Sequence, residues 1–326
     1  MSSFTFNGWR VSYTEFGGGP AAVTAAGRRG RTARQAPAMA RPLIMAHGLM
    51  FAQTMHGPLA EYLAAHGNRV ITVDLLGHGE SDRPQELTLY TMGAFSQQLE
   101  ALMDHLELEQ AAVMGTSLGA NAALELACRA PQRLRGLVIE MPVLEGALLA
   151  GALAFTPLLA GLTFGAPALK AVSRAARAVP RRLLPYYGNV LLDVLRQDPG
   201  PQAAVLRGLF FGRIGPAPKL RRELKTPALV LGHRRDPVHP FSDAGMLASE
   251  MPNARLVEAN SLIELRRSPK RLSGEIGAFL DEIWPERRAA PARSAGRTGA
   301  ARAGAKASRR QPGTVDVAAE RRRRSA

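Results

Sequence analysis

Short apolar runs recur along the chain, most of them ending at a glycine-containing turn and followed by a stretch with helical period. Phe4 to Phe16 alternates as short strands do, with Asn7-Gly8 suited to a hairpin turn. Arg41 to Ala46 and Arg69 to Asp74 read as buried strands, with a helix over Gln53 to His66 between them. A helix over Met92 to Leu106 leads into the apolar run that starts at Ala111. That run stops at Ser117, and a helix over Asn121 to Ala130 follows. Gly136 to Glu140 is the next strand. Pro227 to Gly232 and Ala254 to Glu258 restore the strand pattern, with a helix over Ser242 to Glu250 between them and a closing helix over Arg271 to Trp284. Strands alternating with helices in this way predict an α/β fold built on a mostly parallel sheet.

From Met141 to Leu224 the pattern changes. Val143 to Phe164 is nearly all apolar, broken only by Glu145, glycines and Pro157, and its length would allow a membrane span. Its small residues, its proline and its place between two sheet strands predict a pair of lid helices instead. Ala166 to Ala178 is amphipathic, with Lys170, Arg174 and Arg177 on one face. The expected organisation is an α/β core over 1–141, an inserted helical cap or lid over 142–225, the rest of the core over 226–285 and a basic tail over 286–326.

The net charge of +15 resembles a nucleic-acid signal until it is located. Residues 286–326 hold 12 Lys/Arg against 3 Asp/Glu, and the loop over 17–41 holds 5 Arg and no acid, which leaves a net charge of +1 for everything else. These two Ala/Arg/Gly-rich segments cannot form a packed core, so the tail reads as a disordered extension and no specific nucleic-acid partner is expected. The single cysteine, Cys128, permits no disulfide within the chain and suits a reducing cytoplasm, where a small core residue is the expected role. Met1 to Phe16 has no basic start followed by an apolar block, so no secretory signal is expected.

The candidate chemistry sits at Gly115-Thr116-Ser117-Leu118-Gly119. A serine between a strand and a helix must take a strained backbone conformation, and glycines on either side leave room where strand and helix cross. Its hydroxyl is thereby pushed out at the strand end, and the Leu118 N–H points from the helix N-terminus toward any oxyanion that forms there. The strand ending at His47-Gly48 brings a second backbone N–H, that of Leu49, to the same place. His47 itself is expected to brace its loop.

The spacing of His47-Gly48, Asp74-x-x-Gly77-x-Gly79-x-Ser81 and Gly115-x-Ser117-x-Gly119 resembles the α/β-hydrolase fold superfamily, in its esterase, lipase and cofactor-free haloperoxidase-like branch. The likeness covers about residues 4–141 and 226–284. It implies an eight-stranded, mostly parallel sheet with helices on both faces, a helical cap inserted after strand 6, and catalysis without cofactor or metal. Serine rather than aspartate at the nucleophile position argues against the dehalogenases and epoxide hydrolases of that superfamily. Asp236, in His233-Arg234-Arg235-Asp236-Pro237-Val238-His239-Pro240, resembles the aspartate that orients the histidine of the triad. Glu140, at its strand end, is the alternative acid.

The superfamily places its catalytic histidine after the last strand, and there the pattern breaks. The segment reads Ala259-Asn260-Ser261-Leu262-Ile263-Glu264-Leu265-Arg266-Arg267-Ser268-Pro269, Leu262 stands in the expected slot, and no histidine follows His239. Loss of the base lowers a serine triad's rate by roughly 10⁴ to 10⁶-fold. His239 is the best substitute, although a residue so near Asp236 in sequence could bond it and still lie too far from Ser117. His233, His56 and Glu264 are further candidates. Two readings follow: a carboxylic ester hydrolase acting on a small lipophilic acyl ester, or a weak or inactive relative whose lidded pocket binds a lipophilic small molecule. Weak membrane contact through the cap is a third possibility for its partners, and the oligomeric state is left open.

Overall fold

The computed structural model describes residues 1–17, 41–210, 212–261, 263–267 and 270–284. Most of the loop over 17–41, the tail over 286–326 and Leu262 therefore lie outside the described residues. Strands β1 (Ser2–Phe6) and β2 (Trp9–Phe16) form the expected hairpin, turning through Asn7 and Gly8, both at positive φ. The other strands are β3 (Arg41–Ala46), β4 (Asn68–Asp74), β5 (Ala111–Thr116), β6 (Leu134–Glu140), β7 (Ala228–His233) and β8 (Ala254–Ala259). They lie in one eight-stranded sheet of order β1-β2-β4-β3-β5-β6-β7-β8. Only the β1–β2 and β2–β4 pairs are antiparallel.

The helices of the core are α1 (Gly57–Ala65), α2 (Met92–His105) and α3 (Leu118–Arg129). Between β6 and β7 come α4 (Leu148–Phe164), α5 (Ala166–Ala178), α6 (Tyr186–Leu195), α7 (Pro199–Phe210) and α8 (Pro218–Glu223). The chain closes with α9 (Phe241–Glu250), α10 (Glu264–Arg267) and α11 (Lys270–Ile283).

Central strands buried on both faces explain the unbroken apolar runs in the sequence. Ile44, Val113, Ile139 and Val230 face α2, α3 and α9 through Leu99, Leu102, Leu126 and Leu247. Leu43, Met114, Val138 and Leu229 face α1 and α11 through Leu59, Leu63, Leu272 and Ile276. The chain runs outward on one side from β3 to β4, returns to β5 beside β3, and then proceeds the other way to β8. The direction of winding thus reverses between β3 and β5, and the carboxyl ends of these strands flank the crevice where open α/β sheets place their ligands.

Two sequence expectations are corrected. The apolar segment predicted to be a lid helix pair is one helix, α4, which runs through Pro157. Proline removes one helical hydrogen bond. Leu153, four residues earlier, lies in an exposed stretch of the helix, which continues to Phe164. Cys128 is only partly buried, against the edge of the core, where burial pushes its thiol up to about 11. His105, the last residue of α2, stacks on Phe4 and is hydrogen-bonded to the Tyr13 hydroxyl at 3.2 Å.

Candidate active site

Ser117 is the single residue between β5 and α3, and it sits at φ 52°, ψ −108°. A non-glycine residue in that region is strained, and here its surroundings over-determine it. The Ser117 N–H donates to the Glu140 carbonyl at 2.9 Å, and the Ser117 carbonyl accepts from the Asn121 N–H at 3.0 Å. A Cβ on Gly119 would meet the Ala46 carbonyl oxygen at 2.3 Å, and one on Gly115 would meet the Gly119 oxygen at 2.1 Å. The two glycines are therefore required by the crossing of α3 over β3 and β5.

Asp236 and His239 come from the loop after β7. The Asp236 carboxylate accepts the backbone N–H groups of Val238 at 2.8 Å and His239 at 2.9 Å through Oδ1. This aspartate-led turn folds the chain back on itself, with Pro237 and Pro240 fixing φ on either side of the pair. His239 can thus reach in two directions. Its Nδ1 lies 2.8 Å from Asp236 Oδ2, and its Nε2 lies 2.8 Å from Ser117 Oγ. Burial pushes the Asp236 carboxyl up, but the hydrogen bonds from His239 and Val238 outweigh it and hold the group below its ordinary value. An ionised carboxylate only accepts, so Nδ1 carries the imidazole proton and Nε2 is left bare to accept from the Ser117 hydroxyl.

The other candidates lie elsewhere. His47 Nδ1 donates to the Gly48 carbonyl at 2.8 Å, and its Nε2 accepts the Leu75 N–H at 3.1 Å, which braces the β3 and β4 loops together. His56 Nε2 donates to the Ala46 carbonyl at 3.2 Å. His233 Nδ1 donates to the Ser261 carbonyl at 3.0 Å, and its Nε2 stands 3.5 Å from Glu140. Glu264 is engaged by Arg271 at 2.8 Å and by the Asn260 N–H. Glu140, the alternative acid, is fully buried and accepts from Arg266 and, at 2.6 Å, from the Thr116 hydroxyl. None of these groups touches Ser117 Oγ.

The Asp74-to-Ser81 motif is tied to the segment before α1 and closed on itself. Asp74 accepts from the Gln53 N–H at 2.7 Å, the Gln53 amide at 2.9 Å and the Glu80 N–H at 3.0 Å. A Cβ on Gly79, at φ +49°, would strike the Asp74 carboxyl carbon at 2.1 Å, so the motif needs glycine there.

Burial pushes His56 down to about 3 from an ordinary 6.5, with Arg266 adding to the effect. Burial also lowers His47 and His78, whose tilted rings lie 4.8 Å apart. The unfolded chain takes up protons on these rings below about pH 6.5 while the folded chain does not. Stability is therefore complete above that pH and falls as the pH drops toward 3. Urea midpoints measured between pH 8 and pH 4 should decline below about 6.5, and His56→Gln, which cannot titrate, should flatten the decline. A pH-independent midpoint would show that these histidines are not held neutral.

Beside Ser117 opens a cavity of about 540 Å³ between the crevice and the cap. Leu49 and Leu118 line it with Ser117, and Leu144, Leu148, Phe155, Leu206, Leu209 and Ile214 make it largely apolar. Leu118 is the first residue of α3, where a backbone N–H has no acceptor within the helix. The polar groups on the wall are already engaged. Arg213 is paired with Glu125 at 2.9 Å, and Arg221, 1% exposed, with Glu250 and Glu145. Asn121 donates to the carbonyls of Val143 at 2.6 Å and Ile214 at 2.7 Å, which ties the elbow helix to both ends of the cap. Asp243 accepts three N–H groups from Leu144, Gly146 and Ala147 and fixes the first turn of the cap. Sequence reasoning missed Asn121, Arg221, Asp243 and Arg266, because polar residues within helical stretches give no local sign of a partner far away in the chain.

Comparison with known proteins agrees with this architecture. A family model described as alpha/beta hydrolase fold matches residues 41–261. Over 215 residues the chain is 29% identical to a 2-hydroxymuconate semialdehyde hydrolase from Pseudomonas sp. (strain CF600), covering 59% of this chain and 68% of that protein. An enol-lactonase from Burkholderia xenovorans LB400 superposes with a TM-score of 0.65 at 20% identity, covering 86% of this chain and 99% of the other. A thermophilic esterase from Thermogutta terrifontis gives a TM-score of 0.63 at 20% identity, covering 86% and 97%. At such identities the two solved structures share the fold with this chain.

Proposed function

Because this chain belongs to the alpha/beta hydrolase fold family, we propose that it is a serine hydrolase that cleaves carboxylic esters with a lipophilic acyl group. The observation that carries this reading is the run of two 2.8 Å contacts from Ser117 Oγ through His239 to Asp236. His239 Nε2 takes the hydroxyl proton as Ser117 Oγ attacks the ester carbonyl. The backbone N–H groups of Leu49 and Leu118 hold the oxyanion of the tetrahedral intermediate. The imidazolium, stabilised by Asp236, then gives its proton to the departing alcohol, and water attacks the acyl-enzyme through the same base.

The alternative of a binding protein without chemistry rested on the missing late histidine, and His239 supplies an imidazole at bonding distance. The substrate class comes from the cavity. Its wall is mostly leucine and phenylalanine, and its arginines are neutralised by glutamates, so an apolar acyl chain fits better than a charged one. A burying methylene is worth at most about 0.8 kcal/mol, roughly fourfold in kcat/KM. Over p-nitrophenyl esters from acetate to octanoate, kcat/KM should therefore rise with each added carbon, and Ser117→Ala should abolish turnover throughout. A profile that falls from acetate onward would exclude the apolar acyl site.

A further inference from the structure

Helix α4 is apolar almost all round, and such a helix is ordinarily buried. Here only Gly151 and Leu162 of its 17 residues are buried. Leu149 is 72% exposed, Leu153 69% and Phe164 86%, at spacings that set them along one side of the helix. Together with the turn that precedes it, the helical stretch Glu145–Phe164 is long and apolar enough to cross a membrane. It is held otherwise. Leu162 packs with Ala203 and Leu206 of α7, with Phe155, Leu158 and Leu159 against them, and Leu148, Gly151, Ala152 and Phe155 line the cavity beside Ser117. One side of α4 thus roofs the cavity and another is bare to solvent.

The charged residues that follow this patch in the sequence have a single sign. Between Glu145 and Asp193 the sequence has no Asp or Glu, but it has Lys170, Arg174, Arg177, Arg181 and Arg182, all exposed. Arg181 is paired with Asp193 at 2.6 Å, whereas Lys170, Arg174 and Arg182 have no carboxylate partner among the described residues. An exposed apolar stripe flanked by cations matches the two components of an anionic bilayer, its hydrocarbon and its headgroup charge.

We propose that the cap is a docking surface for anionic phospholipid membranes, with α4 lying in the plane of the interface rather than across it. Leu149, Leu153 and Phe164 enter the acyl region, and Lys170, Arg174 and Arg182 meet the headgroups. Since α4 also roofs the cavity, a docked molecule has its site next to the lipid phase. Docking does not depend on the chemistry at Ser117, so the two can fail separately.

The test is co-flotation of the full chain with vesicles of phosphatidylcholine alone or of phosphatidylcholine and phosphatidylglycerol at 7:3. Wild type should float with the anionic vesicles. The double variant Leu149→Asp/Leu153→Asp, at positions that do not line the cavity, should lose about 100-fold in partitioning while keeping its thermal midpoint. The triple variant K170E/R174E/R182E should lose at least about tenfold on anionic vesicles and change little on neutral ones. Wild type that stays with the soluble fraction would overturn the proposal. Leucine variants that float like wild type would overturn it too, by assigning binding to the basic residues of 286–326. So would a wild-type dimer in sedimentation that the leucine variant converts to monomer without any lipid binding, which would make the patch a contact between copies.

Discussion

His239→Ala should lower kcat for ester hydrolysis by about 10⁴ to 10⁶-fold, and Ser117→Ala/His239→Ala should be no slower than either single variant. Nucleophile and base act as one unit, joined at 2.8 Å, so removing the second after the first removes nothing further. Asp236→Asn should act through His239, because an amide there can offer a donor where Nδ1–H needs an acceptor, and the imidazole then presents the wrong tautomer to Ser117. His233→Ala and His56→Ala should leave the chemical step intact, since both rings are bonded to backbone carbonyls away from Ser117. Steady-state rates for wild type and the six variants decide the matter. Turnover in His239→Ala within tenfold of wild type would mean that another group serves Ser117.

Glu140→Leu should be the most damaging change to stability, costing about 3 to 5 kcal/mol. The glutamate is fully buried, and Arg266 is 14% exposed, so the variant strands a guanidinium with its charge uncompensated. Burial alone would push Glu140 up, but Arg266 and His233 overcome this and hold it well below the carboxylate range. Its contribution is therefore present above the ordinary carboxylate value near 4.5 and is lost as the pH falls below it. Glu140→Leu/Arg266→Leu should recover most of the loss, because a buried pair is worth little against apolar side chains of similar size. Urea unfolding of wild type and these two variants measures this. A single-variant loss under 1 kcal/mol would show the pair to be solvated. Through Thr116, which donates to Glu140 and precedes Ser117, the pair also supports the floor of the elbow, so the double variant tests whether the site needs that support.

The elbow was legible because its requirements are local. Gly115 and Gly119 mark a crossing that admits no Cβ, and Ser117 between them is the one side chain projected from it. The sheet was legible for the same kind of reason, since β3, β5, β6 and β7 are buried on both faces and show as unbroken apolar runs. The position of His239 was not. Three residues from Asp236, it could have bonded the aspartate and pointed elsewhere, and only the turn made by Asp236 Oδ1 with the Val238 and His239 N–H groups brings it to the serine. The signal was present in Asp236-Pro237-Val238-His239-Pro240, an aspartate two and three residues before two N–H groups with prolines fixing the path. Pro157 misled in the opposite direction. A proline reads as a break, but in an exposed stretch water can satisfy the freed carbonyl, and α4 runs on.

The relation between Ser117 and His239 is tested most directly by treating the folded wild-type protein with a fluorophosphonate and locating the adduct by peptide mass. A single adduct on Ser117, formed at neutral pH and slowed at least a thousandfold in His239→Ala, is the expected result. Folded wild type that stays unlabelled, or labelling that proceeds equally fast without His239, would contradict a working triad drawn from the elbow and the loop after β7.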